Sequence, residues 1–380
     1  MKHILKTLLG AACLLAAAGP AVAHAASAAA APLVDCPLRD APYSTASPLI
    51  DILLNPRAKA VADKALPGVG TRLPAQFMGT TPPSFAAILS LKEAAGFLRM
   101  QQPDLAALDR ELAAIPVTRA DKVARCARYD VVPPRFTLPQ GRPRVLLFEK
   151  INGFRDGPSV DAAHAAFVAM AKRKGWALVT TDKGSAFTPA ILRRFDAVIW
   201  NNISGDVLTL SQRRAFQAWM ENGGGFVGVH GTAGDPVYFW DWYVDELLGA
   251  RFLAHPMNPQ FQTARIKLDD AAHPVSRGLP AEWEANDEWY SFKNNPRATG
   301  SRIIATLDES TYKPEGMAGM SLRMGDHPIA WSRCIGSGAH KGRMFYSAIG
   351  HRPERYGDAV YVQMLEQAVA WAASGEACRP

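Results

Sequence analysis

From Arg144 onwards, short apolar segments alternate with helical segments, and no other feature constrains the fold of this chain as strongly. Apolar strands of five or six residues are typical of a sheet that is buried on both faces, and intervening helices connect parallel strands. The pattern predicts an α/β domain with a doubly wound, mainly parallel sheet flanked by helices. We predict strands at 144–149, 176–181, 197–201, 225–230, 263–268, 303–307, 329–332 and 343–347, and helices at 159–174, 212–222 (capped by Ser211) and 358–373.

The sequence before this domain has a different pattern of apolar residues. Residues 35–135 predict a small α-helical domain, in which Asn55 caps a helix that begins at Pro56. Apolar residues recur at helical spacing over 85–100 and again over 103–115. A proline-rich linker at 136–143 then leads into an α/β domain that we expect to span residues 144–376.

The first 25 residues read as a signal peptide. Lys2 and Lys6 precede an apolar stretch at 8–18, and Ala21-Val22-Ala23 is a small-x-small cleavage site. The apolar stretch is too short to span a bilayer, so we expect no membrane association after cleavage. An Ala-rich leader at 26–34, expected to be disordered, follows. These features predict a periplasmic or secreted protein.

Charge and cysteine content narrow the function classes. The net charge of +7 is scattered along the chain without a basic helix, which argues against a nucleic-acid partner. Four cysteines follow the predicted signal peptide, and an even number in an oxidising compartment favours disulfides. We predict Cys36–Cys126, which would tie together the ends of the helical domain, and Cys334–Cys378, next to the last helix. Four buried free thiols are the alternative.

Ligands of doubly wound sheets bind beyond the carboxyl ends of the strands, so we looked for polar side chains there. His230 ends the predicted strand 225–230, on a tight turn between Gly228 and Gly231 where a nucleophile elbow would carry serine or cysteine. A histidine at this position argues against an acyl-transfer hydrolase or a glutamine amidotransferase. The alternative is a histidine whose ring merely caps the turn.

Further polar and aromatic residues follow in the loops. Asp235 and Trp240 belong to an aromatic stretch that suits sugar binding, although Trp242 could equally be core. On a strand, Glu288 and Tyr290 share one face, and we place that face toward the site. An edge carboxylate paired to an arginine is the alternative for Glu288. The remaining candidates are His255, Gln260, His327 and His351.

Several short motifs occur in a characteristic order. They are Gly223–His230, the aromatic stretch Tyr238–Tyr243, Leu248-Gly-Ala, His255-Pro, His273-Pro, Asp287-Glu-Trp-Tyr, His327-Pro-Ile-Ala-Trp and Gly342-Arg-Met-Phe-Tyr with Gly350-His351. Taken together, they resemble the ThuA-like (trehalose utilisation) family over about residues 144–375.

The resemblance implies a flavodoxin-like fold similar to class I glutamine amidotransferase domains, without their cysteine nucleophile. It also implies a link to trehalose, other disaccharides or 3-keto-glycosides as small-molecule ligands. The family often carries Gly-Phe-Arg-His-x-Ser after the first strand, whereas this chain has Gly153-Phe-Arg-Asp156-Gly-Pro. Asp156 therefore joins the candidate binding residues in place of that histidine.

Three hypotheses for function stay open. The first is an enzyme acting on a sugar or oxidised sugar, with Glu288 and a histidine, His230 or His351, as acid and base. The second is a carbohydrate-binding protein that no longer turns its ligand over, which the Asp156 departure favours. Neither requires a cofactor. The third is a hydrolase or isomerase assisted by a divalent metal such as zinc or manganese, although no HxH or HExxH spacing supports it.

Overall fold

The computed structural model describes residues 33–67, 73–97, 104–338 and 340–378. The predicted signal peptide and nearly all of the predicted leader lie outside these residues. Within them, no helix is both long and apolar enough to cross a membrane.

Eleven strands form the sheets of the described chain. They are β1 Arg144–Phe148, β2 Ala177–Thr181, β3 Ala197–Asn201, β4 Gly225–Val229, β5 Phe252–Ala254, β6 Phe261–Leu268, β7 Glu282–Glu288, β8 Ser291–Phe292, β9 Arg302–Leu307, β10 Pro328–Ile335 and β11 Gly342–Ser347. Nine of them make one sheet in the order β2-β1-β3-β4-β11-β10-β9-β6-β7, and β5 pairs with β8. The predicted α/β fold class is confirmed.

Strand direction divides this sheet into two halves. The pairings from β2 through β11 are parallel, whereas those from β11 through β7 are all antiparallel. Each antiparallel pairing reverses the strand direction. Within this sheet, β10 and β6 therefore run opposite to the other seven strands. The carboxyl ends of β4, β7 and β11 therefore lie at the same edge of the sheet.

The antiparallel half must curve back toward the parallel half. A flat sheet would hold β7 about 19 Å from β11, four strand spacings away. Yet the backbone N–H of Gly350, just after β11, donates a hydrogen bond of 2.7 Å to Oδ2 of Asp287 near the end of β7. Curvature and the short loop after β11 thus bring together residues that the strand order separates.

Helices flank the sheet much as the sequence predicts. They are α6 Gly157–Lys174, α7 Pro189–Leu192, α8 Leu210–Glu221 and α9 Ala359–Ala372. Asp358 caps α9 by accepting hydrogen bonds from the backbone of Val360 and Tyr361. Ser211 does not cap α8. Thr209 does so, in a capping box with Gln212, because this pair satisfies the first free N–H groups reciprocally.

The N-terminal region has a hydrophobic core of its own. Its helices are α1 Leu49–Leu54, α2 Pro56–Ala65, α3 Leu91–Phe97, α4 Leu105–Ala113 and α5 Arg119–Cys126. Asn55 caps α2 as predicted. The apolar spacing over 85–100 predicted helix from Phe85 onwards. The structure instead has a separate 3₁₀ turn at Phe85–Ala87, and α3 begins at Leu91.

Both predicted disulfides are present, Cys36–Cys126 and Cys334–Cys378. The N-terminal region also docks onto the α/β region through backbone hydrogen bonds, including Ser84 N–H to the carbonyl of Asn152 at 3.0 Å. Residues 34–380 accordingly form one compact unit. The described cysteines are all oxidised, so none of them offers a thiol nucleophile.

Candidate functional site

His230 leaves β4 in a strained conformation. Its φ of +37° lies in the left-handed region that residues with a Cβ rarely adopt, and such strain is often found at functional sites. The hydroxyl of Tyr346 donates to the carbonyl of His230 at 2.8 Å and holds this turn. The ring Nδ1 lies 2.8 Å from the carbonyl of Ala348, which can only accept, so Nδ1 carries the proton. Nε2 is then the ring nitrogen that carries the lone pair.

The end of β7 separates two adjacent carboxylates. Asp287 accepts hydrogen bonds from the backbone of Gly350 (2.7 Å) and Arg352 (3.0 Å), so it anchors the loop after β11. Glu288 points the opposite way, as expected for neighbours on a strand. Asp287 is thus a positioning residue, and it places His351 beside Glu288.

Three side chains converge on one point. Oε2 of Glu288 lies 3.1 Å from Nδ1 of His351 and 3.5 Å from Nε2 of His230, and the two ring nitrogens are 3.1 Å apart. Glu288 and His230 are buried, at 2% and 3% exposure, whereas His351 is partly exposed. We call these three residues the His–Glu cluster.

The His–Glu cluster needs a proton or a cation at its centre. With its lone pair on Nε2, His230 faces Oε2 of Glu288 as a second acceptor, and a proton on His351 Nδ1, or a cation, would satisfy both. Burial opposes charge on Glu288, but the neighbouring imidazoles of His230 and His351 outweigh it and hold the pKa of Glu288 well below the usual value. Burial likewise opposes charge on His351, yet the hydrogen bond and charge of Glu288 raise the pKa of that imidazole.

A second layer of polar groups surrounds the cluster. Oε1 of Glu288 accepts from Gln260 Nε2 at 2.5 Å and lies 3.2 Å from His255 Nδ1. Oδ2 of Asp156 lies 3.7 Å from Nε2 of His351. Asp156 also accepts a hydrogen bond from Ser159, whose hydroxyl contacts the carbonyl of His351 too. The carboxylate that replaces the family histidine therefore faces the cluster.

The His–Glu cluster lines a cavity of about 610 Å³, a size typical of small-molecule sites. Tyr290 lines it and packs on His230 with ring centroids 4.3 Å apart. Asp235 lines it too, and burial raises the pKa of this carboxyl to about 7 despite hydrogen bonds from Ser204 and Gly205. Of the sequence candidates, the cavity gathers His230, Glu288, His351, Asp156, Asp235, His255, Gln260 and Tyr290.

Two sequence candidates lie elsewhere. Trp240 packs among aromatic rings behind the cavity, with the guanidinium of Arg213 4.9 Å from its ring centre, because its stretch folds back onto α8. His327 is 1% exposed and bonds to the carbonyl of Tyr290 (2.8 Å) and to Glu309 (2.9 Å). Neither residue lines the cavity, so the structure does not bring these two predicted binding residues together with the His–Glu cluster.

The sequence also missed part of the cavity wall. The missed residues include Gln76, Phe77, Phe85, Ile88, Leu89 and Glu93 of the N-terminal region, and Asn202, Ser204, Phe252, Leu253, Lys293, Met317 and Met320 of the α/β region. Packing between regions far apart in the chain carries no local pattern. The one available signal was the pair of methionines in a glycine-rich loop, Met317-Ala-Gly-Met320.

Comparison with known proteins agrees with this architecture. A crystal structure of a ThuA-like protein from Bacteroides uniformis is 27% identical, with a TM-score of 0.52, and the match covers 63% of this chain and 95% of that one. A second ThuA-like structure, from Parabacteroides merdae, is 19% identical with a TM-score of 0.44, covering 62% and 92%. No curated protein matches the chain. The profile of the family described as ThuA, trehalose utilisation, matches residues 144–372, and the chain belongs to that family.

Proposed function

We propose that this protein is an exported enzyme that acts on a disaccharide or an oxidised (3-keto) glycoside by acid–base chemistry. The observation that carries the proposal is the buried His–Glu cluster, which opens onto a cavity of about 610 Å³ in a member of a carbohydrate-linked family. The two disulfides support export, since such bonds persist in oxidising compartments.

Each member of the cluster has a distinct role in this proposal. Glu288, with its lowered pKa, is the ionised partner, and its hydrogen bond and charge favour the protonated form of His351. His351 is then the proton donor. His230 is the acceptor, because its hydrogen bond to Ala348 leaves the Nε2 lone pair available.

This arrangement suits an oxidised glycoside. A carbonyl acidifies the neighbouring C–H bond, so a base can remove that proton while an acid protonates the glycosidic oxygen that leaves. His230 would take the first proton and His351 would supply the second, so the proton count balances. Asp235, with a pKa near 7, is a further group in the cavity that can exchange protons at neutral pH.

A panel of trehalose, other disaccharides and their 3-keto derivatives, with products followed by mass spectrometry, tests the proposal. We expect turnover of at least one oxidised glycoside by the wild type. Binding without turnover across the whole panel would instead support a carbohydrate-binding protein. Asp156 weakens that alternative, because its carboxylate lies within 3.7 Å of His351 and supplies a polar partner there.

A metal-assisted hydrolase or isomerase is a second candidate, and the geometry of the cluster favours it. Ligand atoms of a tetrahedral zinc ion lie about 3.3 Å apart when the bonds are about 2.0 Å long. The three pairs of atoms in the cluster are separated by 3.1, 3.1 and 3.5 Å. Two histidines and one glutamate also form a ligand set of catalytic zinc sites, with the fourth position left for water or substrate.

Elemental analysis separates the two mechanisms. If a metal is held, protein purified without chelator should contain about one equivalent, and Glu288→Gln should lose it. Glu309→Gln is the matched control, since Glu309 pairs with His327 away from the cavity. A bound metal would occupy Nδ1 of His351 and exclude that atom as the proton donor. Metal-free protein with full turnover would eliminate the metal-assisted mechanism.

A further inference from the structure

The lining of the cavity combines two kinds of surface. The His–Glu cluster supplies polar groups. Another part of the lining carries phenyl rings, branched aliphatic chains and thioethers, contributed by Phe77, Phe85, Phe154, Leu253, Met257, Met317 and Met320. It reaches the cluster at Phe154, whose ring centroid lies 6.4 Å from that of His351. We call this surface the apolar wall.

The apolar wall concentrates exposed apolar side chains. Among the described residues, eleven large hydrophobic side chains are exposed, and five of them line this cavity. They are Phe154, Leu253, Met257, Met317 and Met320, each between 37% and 41% exposed. Scattered exposed hydrophobic residues need no explanation, but a cluster that borders a polar site indicates that an apolar group is bound there.

Part of the apolar wall comes from outside the family domain. Phe77 and Phe85 stack with ring centroids 4.4 Å apart and planes 8° apart, and Phe85 lies 4.9 Å from Phe154. Phe77 and Phe85 precede the segment that matches the family, residues 144–372. Ser84, next to Phe85, is fixed to the loop after β1 by its backbone bond to Asn152. The N-terminal region therefore adds a binding surface to the α/β region.

The chemistry of the apolar wall selects one kind of ligand group. One face of a second sugar ring can pack on the phenyl rings, but the thioethers and branched aliphatic chains offer its hydroxyl groups no strong hydrogen-bond partner. A flat aromatic ring has no hydroxyl groups that need hydrogen bonds, and it gains contact with the stacked phenylalanines. Methionine side chains adapt to rings of different shape.

We propose that the substrate is a glycoside with an aromatic aglycone, whose sugar lies on the His–Glu cluster and whose aglycone lies on the apolar wall. This inference rests on the proposed function for the sugar end alone. The apolar wall makes the N-terminal region a determinant of specificity.

Binding of a matched pair of ligands tests the inference on the full mature chain. 2-Naphthyl β-D-glucoside should bind at least about tenfold more tightly than methyl β-D-glucoside in calorimetric titration. Met317→Ser/Met320→Ser should reduce that ratio to about threefold or less, since both side chains are exposed and their loss leaves the core intact. Val123→Ser/Val132→Ser, which changes two more exposed apolar side chains that do not line the cavity, should leave the ratio unchanged.

2-Naphthol alone, followed by its fluorescence, separates the two proposals. We expect saturable binding that the methionine variant weakens at least about fivefold. If naphthol binds in this way but no sugar binds or reacts, the apolar wall is supported as a site for aromatic groups and the proposed function is contradicted. If the two glucosides bind equally, or naphthol binding is absent or insensitive to the methionine variant, the aromatic aglycone is excluded.

Discussion

Two pairs of histidines in this protein differ in the hydrogen-bond partners of their ring nitrogens. His273 and His327 are buried between strands and helices, and each ring nitrogen has a partner within the protein. Nδ1 of His273 accepts from Val275 N–H, and its Nε2 pairs with the hydroxyl of Ser332. His327 is held by the carbonyl of Tyr290 and by Glu309.

His230 and His351 lie at the cavity instead, and their nitrogens face each other and the carboxylate of Glu288. These atoms satisfy one another only through a shared proton or cation. Burial is similar for His230, His273 and His327, so burial does not mark the site. What marks it is that Nε2 of His230, Nδ1 of His351 and Oε2 of Glu288 have one another as partners.

The largest expected effect comes from Glu288→Gln. Without the carboxylate, His351 loses the partner that keeps it protonated, so kcat should fall by roughly 10²–10⁴-fold, the usual contribution of general acid–base catalysis. Substrate affinity should change little, because the amide keeps the shape of the side chain. Steady-state kinetics on the oxidised glycoside identified by the panel measures both quantities.

Glu309→Gln is the control for that variant, since it changes the other histidine–glutamate pair in the same way. Its kcat should match that of the wild type. If Glu288→Gln retains full turnover, or if both variants lose it equally, the contrast between the two pairs is wrong.

His327→Ala should affect the stability of the fold, unlike Glu288→Gln, which should affect kcat. It leaves the carbonyl of Tyr290 without this partner and removes the main hydrogen bond that lowers the pKa of Glu309. Losing a buried hydrogen-bonded side chain should lower the free energy of unfolding by about 3 kcal/mol. Urea denaturation measures this loss, and a change below about 1 kcal/mol would show that His327 is not structural.

His273 gives a prediction that depends on pH. Burial, together with the charge of Arg302, lowers its pKa from 6.5 to about 4. Between these values the unfolded chain binds more protons than the folded chain, so stability falls as the pH falls. Acidification from pH 7 to pH 5 should cost about 2 kcal/mol at this residue.

His273→Asn should remove that cost, because the asparagine oxygen can still accept from Val275 N–H but does not titrate. Denaturation of both proteins at pH 7 and pH 5 measures the difference in slope. Equal pH dependence in wild type and variant would show that His273 titrates normally.

The smallest effect is expected for Trp240→Phe. Because the indole packs on Phe216 and Arg213 behind the cavity, KM should change by less than about twofold. A tenfold rise in KM would instead place Trp240 in the binding site, as the sequence had suggested.

The sequence was informative where a pattern is local. Apolar runs located the parallel strands, and the alternation of side chains on a strand separated Glu288 from Asp287. It named His230 and His351 as acid–base candidates but could not exclude His327 from the pocket, because all three lie in short motifs with proline or glycine. Which histidines meet Glu288 depends on the curvature that carries β7 back to β11, and no neighbouring residues encode that curvature. The contribution of Phe77 and Phe85 was hidden for the same reason.

The disulfide Cys36–Cys126 has a consequence for the apolar wall. Phe77 and Phe85 lie within the 90-residue segment that this bond closes. A protease that cuts the backbone once between these cysteines therefore releases no fragment, because the N-terminal piece stays bonded through Cys36. The part of the apolar wall that Phe77 and Phe85 form is therefore retained covalently, and its release requires both cleavage after Phe85 and reduction. A nicked protein would keep its mass on a non-reducing gel and separate into two bands only after reduction.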